Sequence, residues 1–361
     1  MLQCAAEARS DGRGNLSAKS LKQYLNGCAA FADKTPETIQ TLLSQFRHLT
    51  IEEPRFAGGW AKLLLVESDY ARMIYAPETA GIMKTLPAHI AAARSLKPEM
   101  PEAFLAEAMS LPDAAFERRI GLLQKALAMD PDNAAVLSVL SDQLRFVGRM
   151  NDSVEMAQRA VQADPLSPTI RNGLVEALTY AGKTDAALAE VHRLEQIWPG
   201  ASNVIFARFA VNLRYGDPNE ALRSIRSGSI STARTPYVES FLRARANPTS
   251  ANIDRAIEDA QSWYEKAPTS IYHLIQVLGT FGREEQLFSI LLNWSHPDKV
   301  SYVVDGLFRP ALGKFRRDPR MMIVAKRLGL LAYWQNTGTW PDFCGDPDLP
   351  YDCKAEAAKL G

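Results

Sequence analysis

The chain has 361 residues, 47% of them apolar and 23% charged, a balance that excludes wholesale disorder. Lysine plus arginine equals aspartate plus glutamate at 41 each, so no net field draws the chain to a phosphate backbone and direct nucleic-acid binding is not expected. No apolar run approaches the roughly 18 residues of a bilayer span, and MLQCAAEARSDGRG lacks the basic and apolar regions of a signal peptide.

Residues 1–33 read as two helices, Leu2–Ser10 and Leu16–Phe31, separated by the breaker Asp11-Gly-Arg-Gly14, with Ser17 as N-cap of the second. Leu21, Tyr24, Leu25 and Cys28 recur at helical spacing, which turns Cys28 inward and within reach of Cys4. Thr35-Pro36-Glu37 opens the next helix, whose stripe is Ile39, Leu42, Leu43, Phe46 and Leu49, and Glu53-Pro54 ends it. A helix from Phe56 to about Tyr75 follows; Gly58 lies at its start, where a methyl should matter less than a valine at Gly182. Pro77–Leu96 is a longer helix with Pro87 inside, which predicts a kink or break. Pro101–Ser110 and Ala114–Met129 make the next pair.

A 34-residue period then dominates. Pro131, Pro165 and Pro199 keep it, as do Gly148, Gly182 and Gly216, and Ser153, Ala187 and Ala221. That interval belongs to helix–turn–helix solenoids. The helix pairs are Asn133–Val147 with Met150–Ala163, Ser167–Ala181 with Thr184–Trp198, and Ala201–Tyr215 with Pro218–Ser227; the first member of each is its A helix, the second its B helix. Gly148 and Gly182 fall where A reverses into B, a position that calls for a left-handed residue. Farther on the period weakens. Pro236–Ala246 pairs with Ile253–Ala267, Ser270–Phe281 with Glu284–Trp294, and Asp298–Leu312 with Pro319–Leu328; an irregular tail follows Leu330.

The 34-residue unit resembles the tetratricopeptide repeat. Leu140, Gly148, Ser153, Ala157, Ala160 and Pro165 fall on that family's marked positions, as do Leu174, Leu178, Gly182, Ala187 and Pro199 in the next unit. The resemblance implies an all-α, right-handed superhelical solenoid of antiparallel helix pairs with an irregular C-terminal cap. Its parts are capping helices over 1–34, repeats over 35–330 (clearest over 133–227), and an aromatic, cysteine-containing cap over 331–361. The small residue early in helix A is Ser141 in one unit but Val175 in the next, and Leu144 and Leu178 stand where an aromatic is expected, so interhelix packing should differ there.

Residues alone leave the cysteines open between two disulfides, four free thiols and, on poor spacing, a zinc site. A second resemblance bears on this. AYWQNTGTWPDFCGDPDLPYDC is similar to the terminal segment of repeat modules in bacterial membrane-anchored winged-helix regulators and some bacterial adenylate cyclases, and LSAKSLKQYLNGCAAF resembles the start of such a module. In those regulators the repeats are periplasmic. The resemblance therefore implies disulfides Cys4–Cys28 and Cys344–Cys353 and a periplasmic place, with the cytoplasm as the alternative. Membrane attachment would come only from an anchor outside this sequence. A free-standing lipoprotein beginning near Cys4 is a further reading, weakened by the missing apolar leader.

Catalytic motifs are lacking. His48, His89, His192, His273 and His296 form no metal-binding pattern and read as helix-surface residues, Gly-Ser-Ile-Ser at 228–231 is not a nucleophile elbow, and no phosphate-cradling glycine motif occurs. No enzyme, cofactor or metal is expected. Carried over position by position, the resemblance puts Asp142, Arg145 and Phe146, then Asn172, Glu176 and Tyr180, then Phe206 and Arg214 on the groove face of successive A helices. Asp142, Arg145, Asn172, Glu176, Tyr180 and Arg214 are the candidate partner-binding residues for a protein or extended peptide, with Arg145 and Tyr180 as anchors. Two arginine clusters, Arg223/Arg226/Arg234 and Arg316/Arg317/Arg320, read as anion sites or, more simply, as solvated helix ends. Tyr333, Trp334, Trp340 and Phe343 should fold back as a terminal cap. The leading reading is a non-catalytic protein- or peptide-binding repeat module serving bacterial signalling. The alternative is the regulatory module of a nucleotide cyclase or a small-ligand sensor.

Overall fold

A computed structural model describes residues 4, 8, 16–32, 38–71, 79–232, 235, 237–296 and 300–360. Among them the secondary structure is helical, with no strand. The helices are α1 (Ala18–Ala32), α2 (Ile39–Glu52), α3 (Ala57–Ala71), α4 (Thr79–Leu96), α5 (Pro101–Ser110), α6 (Phe116–Met129), α7 (Ala134–Phe146) and α8 (Met150–Ala163). They continue as α9 (Pro168–Tyr180), α10 (Thr184–Ile197), α11 (Ser202–Arg214), α12 (Pro218–Arg226), α13 (Tyr237–Ala246), α14 (Ser250–Lys266), α15 (Ile271–Thr280) and α16 (Glu284–Leu292). α17 (Val300–Leu307), α18 (Gly313–Arg316), α19 (Arg320–Arg327), α20 (Leu330–Thr337) and α21 (Cys353–Lys359) complete them. Successive helices pack on their chain neighbours: α2 on α1 and α3, then an unbroken series from α10 to α16. The fold is an all-α array of antiparallel helix pairs, tetratricopeptide-like in its period.

Local chemistry explains the boundaries. The Ser20 backbone N–H donates to Ser17 Oγ at 3.0 Å, which caps α1 as its sequence predicts. The five apolar positions of the α2 stripe are all buried, and Cys28 is buried as its helical phase requires. At the A-to-B reversals Gly148 and Gly182 have φ of 82° and 76°. In each, the residue after the glycine donates back to a carbonyl of the last turn, Arg149 to Leu144 and Lys183 to Leu178, both at 2.9 Å. Gly216 keeps the sequence interval but not the conformation; there the Asn212 side chain accepts from the Asp217 N–H at 3.0 Å instead. The small residues at the first A/B crossing are buried, and the Ser141 hydroxyl donates to the Ser153 carbonyl at 2.7 Å.

Three expectations change. α4 continues through Pro87, so that proline does not break the helix. Gly58 is crowded: a Cβ there would lie 2.7 Å from Phe56 Cζ and 3.1 Å from the Tyr24 hydroxyl, so the methyl expected to matter less than a change at Gly182 would displace buried neighbours. The tail is not wholly irregular, since Gly329 and Gly338, both left-handed, bracket helix α20, and the Asp352 side chain caps α21 by accepting from the Ala355 N–H at 2.7 Å. The opening helix Leu2–Ser10 (apart from Cys4 and Ala8), Thr35-Pro36-Glu37, Pro77, Arg234, Pro236 and Asp298 lie outside the described residues.

The chain forms two compact units. The first comprises 1–112, 118–140 and 159–170. Its core is built on Tyr24, Phe46, Phe56 and Leu63, with a second cluster around Leu64, Leu86, Ala93 and Ala103. The Cys4–Cys28 disulfide belongs to it. The second comprises 113–117, 141–158 and 171–361. Within it α15 packs on α14, α16 and α17, α19 packs on α16 and α20, and Phe288 stacks on Phe315 with centroids 4.2 Å apart. The tail folds back inside this unit. Fully buried Trp334 donates from Nε1 to the Val147 carbonyl at 3.0 Å, and the Asp342 N–H donates to the Gly148 carbonyl at 3.0 Å. Cys344 and Cys353 form the second disulfide, tying the 3-10 turn Asp342–Gly345 to α21. The aromatic tail thus covers the first clean A-to-B reversal as well as packing on α19.

Candidate protein-binding face

The A-helix face lies largely within the second unit, and the structure places its six predicted residues in two different situations. At the C-terminal ends of α7 and α9, Arg145 and Tyr180 are 5% and 3% exposed. They are covered by α17 and the residues that follow it. Arg145 donates to Asp305 and, at 3.2 Å, to Asp142, and lies 3.6 Å from Glu176. Its guanidinium sits 4.5 Å over the Tyr180 ring. Arg309, 1% exposed, approaches the same ring at 4.3 Å, donates to the Tyr180 hydroxyl at 2.9 Å and pairs with Asp305. Gln276 accepts from Arg309 at 3.3 Å and from the Tyr215 hydroxyl at 3.2 Å. Arg214 lies 5.3 Å from the Tyr180 ring. Arg145 and Tyr180, expected as open anchors for a partner, are therefore taken up by the chain's own C-terminal part.

The charges in this cluster settle one another. Burial pushes the Asp305 carboxyl up, but Arg309 and Arg145 hold it down at about 2. Burial lowers Arg145 and Arg309, and their carboxylate and phenol neighbours outweigh it, so both stay firmly charged. Burial raises the Tyr180 phenol above its ordinary value. Nearby, His273 is held well below its usual value by burial and then by Arg214 and Arg309, so it is neutral and hydrogen-bonds the Tyr237 hydroxyl through Nδ1. Two histidines thus depart from the surface reading. His273 is one; the other is His89, whose Nδ1 lies 2.8 Å from the fully buried Glu67, itself 3.2 Å from Arg47. Among the described residues no group of three or more histidine, cysteine, aspartate or glutamate side chains is placed to hold a metal.

The N-terminal part of the same face is open. Asn172 is half-buried, and its Nδ2 donates to the Asn203 carbonyl at 3.4 Å, which joins α9 to α11; its Oδ1 has no hydrogen-bond partner. One turn along α9, Glu176 is exposed, and one turn along α11, Phe206 is 59% exposed. An exposed aromatic ring and an exposed carboxylate thus lie one turn from the Asn172–Asn203 contact, whose Asn172 Oδ1 is itself buried. In the arginine clusters read as solvated helix ends or anion sites, Arg223 pairs with Glu220 at 2.6 Å, Arg320 pairs with Glu285 at 2.6 Å and Asp318 at 2.7 Å, and Arg316 donates to the Leu307 and Arg309 carbonyls at 3.1 and 2.8 Å.

Asp305 and Arg309 were missed by the sequence reading. They are two charges four residues apart in the apolar run VVDGLFRPAL, and such a pair in a buried helix signals an ionic partner elsewhere.

No protein-family model and no curated protein matches the sequence. Among solved structures, yeast Tom70 is similar at 15% identity and a TM-score of 0.42, over 88% of this chain and 69% of that one. A human IFIT1 dimer with PPP-AAAA is similar at 15% identity and 0.43, over 99% and 94%. A structure of Naa15/Naa10 bound to HypK-THB is similar at 14% and 0.30; this chain spans 54% of that one and is covered over 94% of its own length. Likeness of this size assigns no function.

Proposed function

We propose that this chain is a non-catalytic module that binds an extended segment of a protein partner on the open part of its A-helix face. The observation that carries the reading is Phe206, a large aromatic left 59% exposed one turn beyond the Asn172–Asn203 contact on a repeat scaffold. The exposed Glu176 carboxylate can accept from backbone amides of an extended segment, and the Phe206 ring supplies apolar contact area. Arg145 and Tyr180 support the site from beneath rather than touching the partner.

The wider setting is a bacterial signalling protein whose repeats lie in the periplasm. Two disulfides support an oxidising compartment, and the resemblance of the tail and of the first helix supports the regulator setting. Among the described residues no helix is long and apolar enough to cross a membrane.

Photocrosslinking from p-benzoylphenylalanine at position 206 in living cells, followed by binding of the captured segment to purified protein, tests the site. Phe206→Ala and Glu176→Ala should each weaken that segment by about 1–2 kcal/mol with unfolding midpoints unchanged. Wild-type affinity in both variants would overturn the assignment.

A further inference from the structure

Most of the partly buried arginines in this chain have a carboxylate. Arg94 pairs with Glu107 at 2.6 Å, Arg208 with Glu195 at 2.5 Å and Arg171 with Glu190 at 2.5 Å. One cavity in the second unit departs from that pattern. It measures about 650 Å³ and is lined by four cations, Arg214, Arg245, Lys314 and Arg317, together with Tyr215 and Thr280. No carboxylate lines it.

The cations are not idle surface residues. Arg245 is fixed: its Nη1 donates to the Asn212 and Leu213 carbonyls at 2.6 and 2.9 Å, and its Nη2 to the Gly216 carbonyl at 2.9 Å. These bonds close the C-terminal end of α11 and bring no negative charge. Asp217 acts on Arg245 from outside the cavity and lies 3.7 Å from Arg223. Burial holds the Arg245 guanidinium below its ordinary value, the sign of a cation short of counter-charge. Arg214 donates to the Ala210 carbonyl at 3.0 Å and its charge also acts on Asp305, which does not line the cavity. Arg317 has only a long pairing with Asp346, at 3.8 Å, and a bond to the Asp348 carbonyl.

Gathering uncompensated cations around one concave site costs electrostatic free energy unless an anion completes it. A single carboxylate would leave most of that charge unmet. A phosphoryl group brings a charge of about −1.5 to −2 and three acceptor oxygens, which planar guanidinium forks engage in pairs. The volume falls in the range of small-molecule sites, about 300–1,000 Å³. We infer that this cavity is a binding site for the phosphoryl group of a soluble small molecule. The site stands apart from the Phe206 face and does not depend on the protein-binding reading; it is the feature that a small-ligand sensor would use.

Isothermal titration with inorganic pyrophosphate and with a nucleoside monophosphate tests it. Saturable binding is expected, weakened about tenfold in Lys314→Ala and in Arg214→Gln and unchanged in Arg223→Ala, an arginine outside the cavity. Lys314 is exposed, so its variant keeps the test independent of folding; Arg214→Gln is read only alongside an unchanged unfolding midpoint. Preference for pyrophosphate over the nucleotide would support the site with a bare or terminal phosphate as its ligand, and the reverse would support it with an ester. Absence of saturable binding by both probes, wild-type affinity in Lys314→Ala, or an equal loss in Arg223→Ala would overturn the inference.

Discussion

Two polar regions of the second unit use the same residue types to opposite ends. Around Tyr180, Arg145 and Arg309 face Asp305, with Asp142 and Glu176 beside Arg145. Around the cavity, Arg214, Arg245, Lys314 and Arg317 meet with no carboxylate among them. In the first region Arg145, Arg309 and Asp305 answer one another inside the chain and fasten the A helices to α17, while Glu176, 3.6 Å from Arg145, stays exposed at the edge of the cluster. In the second the guanidinium groups are held by backbone carbonyls, and the carboxylates that act on them, Asp217, Asp305 and Asp346, do not line the cavity. A neutral chain can therefore hold a strongly positive site, because net charge reports a sum and binding depends on placement.

The comparison can be broken most forcefully at Arg145. Arg145→Ala removes one partner from a buried ionic cluster and should lower stability by about 3–5 kcal/mol in urea melts. A loss under about 1 kcal/mol would mean that the cluster does not fasten these helices. The pH dependence of the same cluster follows from Asp305. Its folded value of about 2 lies below an unfolded value near 3.9, so its contribution is complete above about pH 4–5 and is lost as pH falls through 2. That contribution is about 2–3 kcal/mol. Melts between pH 6 and pH 2.5 should show it, and Asp305→Asn should flatten the curve; an identical slope in the variant would sink the assignment.

The tail that covers this side offers a geometric break. A Cβ at Gly148 would lie 2.6 Å from Pro341 Cβ and 2.8 Å from Phe308 Cε1, whereas one at Gly182 would meet only Pro310, at 3.3 Å and beyond. Both glycines are left-handed, so Val at either is strained by about 1–3 kcal/mol. Gly148→Val should sit at or above the top of that range and Gly182→Val within it. Equal midpoints for Gly182→Val and wild type would contradict the turn geometry, and a smaller loss at 148 than at 182 would contradict the tail docking. The smallest effect belongs to the cavity. Lys314→Ala should change stability by less than about 0.5 kcal/mol, since Lys314 is exposed and its charge is not used by the fold. A clear destabilisation would place Lys314 with the structural charges instead.

Much of the array was legible in advance because its determinants are local. The stripe from Ile39 to Leu49, the Ser17 cap and the reversals at Gly148 and Gly182 each depend on residues within a turn or two of one another. The open and covered halves of the A-helix face were not legible. Arg145 and Glu176 carry the same kind of pattern in sequence, yet one is buried and the other exposed. What separates them is Asp305, 160 residues from Arg145 along the chain.

The sequence by itself determined the helical period, the turns that reverse it and the inward phase of Cys28, because hydrophobic spacing and glycine conformation act over a few residues. Only the tertiary structure decided which polar residues face solvent. A charged side chain's fate depends on what the rest of the chain brings to it, and here that is a carboxylate at Arg145 and backbone carbonyls at Arg245. The periodicity of a repeat fixes where such side chains point and carries no information about the distant segment that meets them.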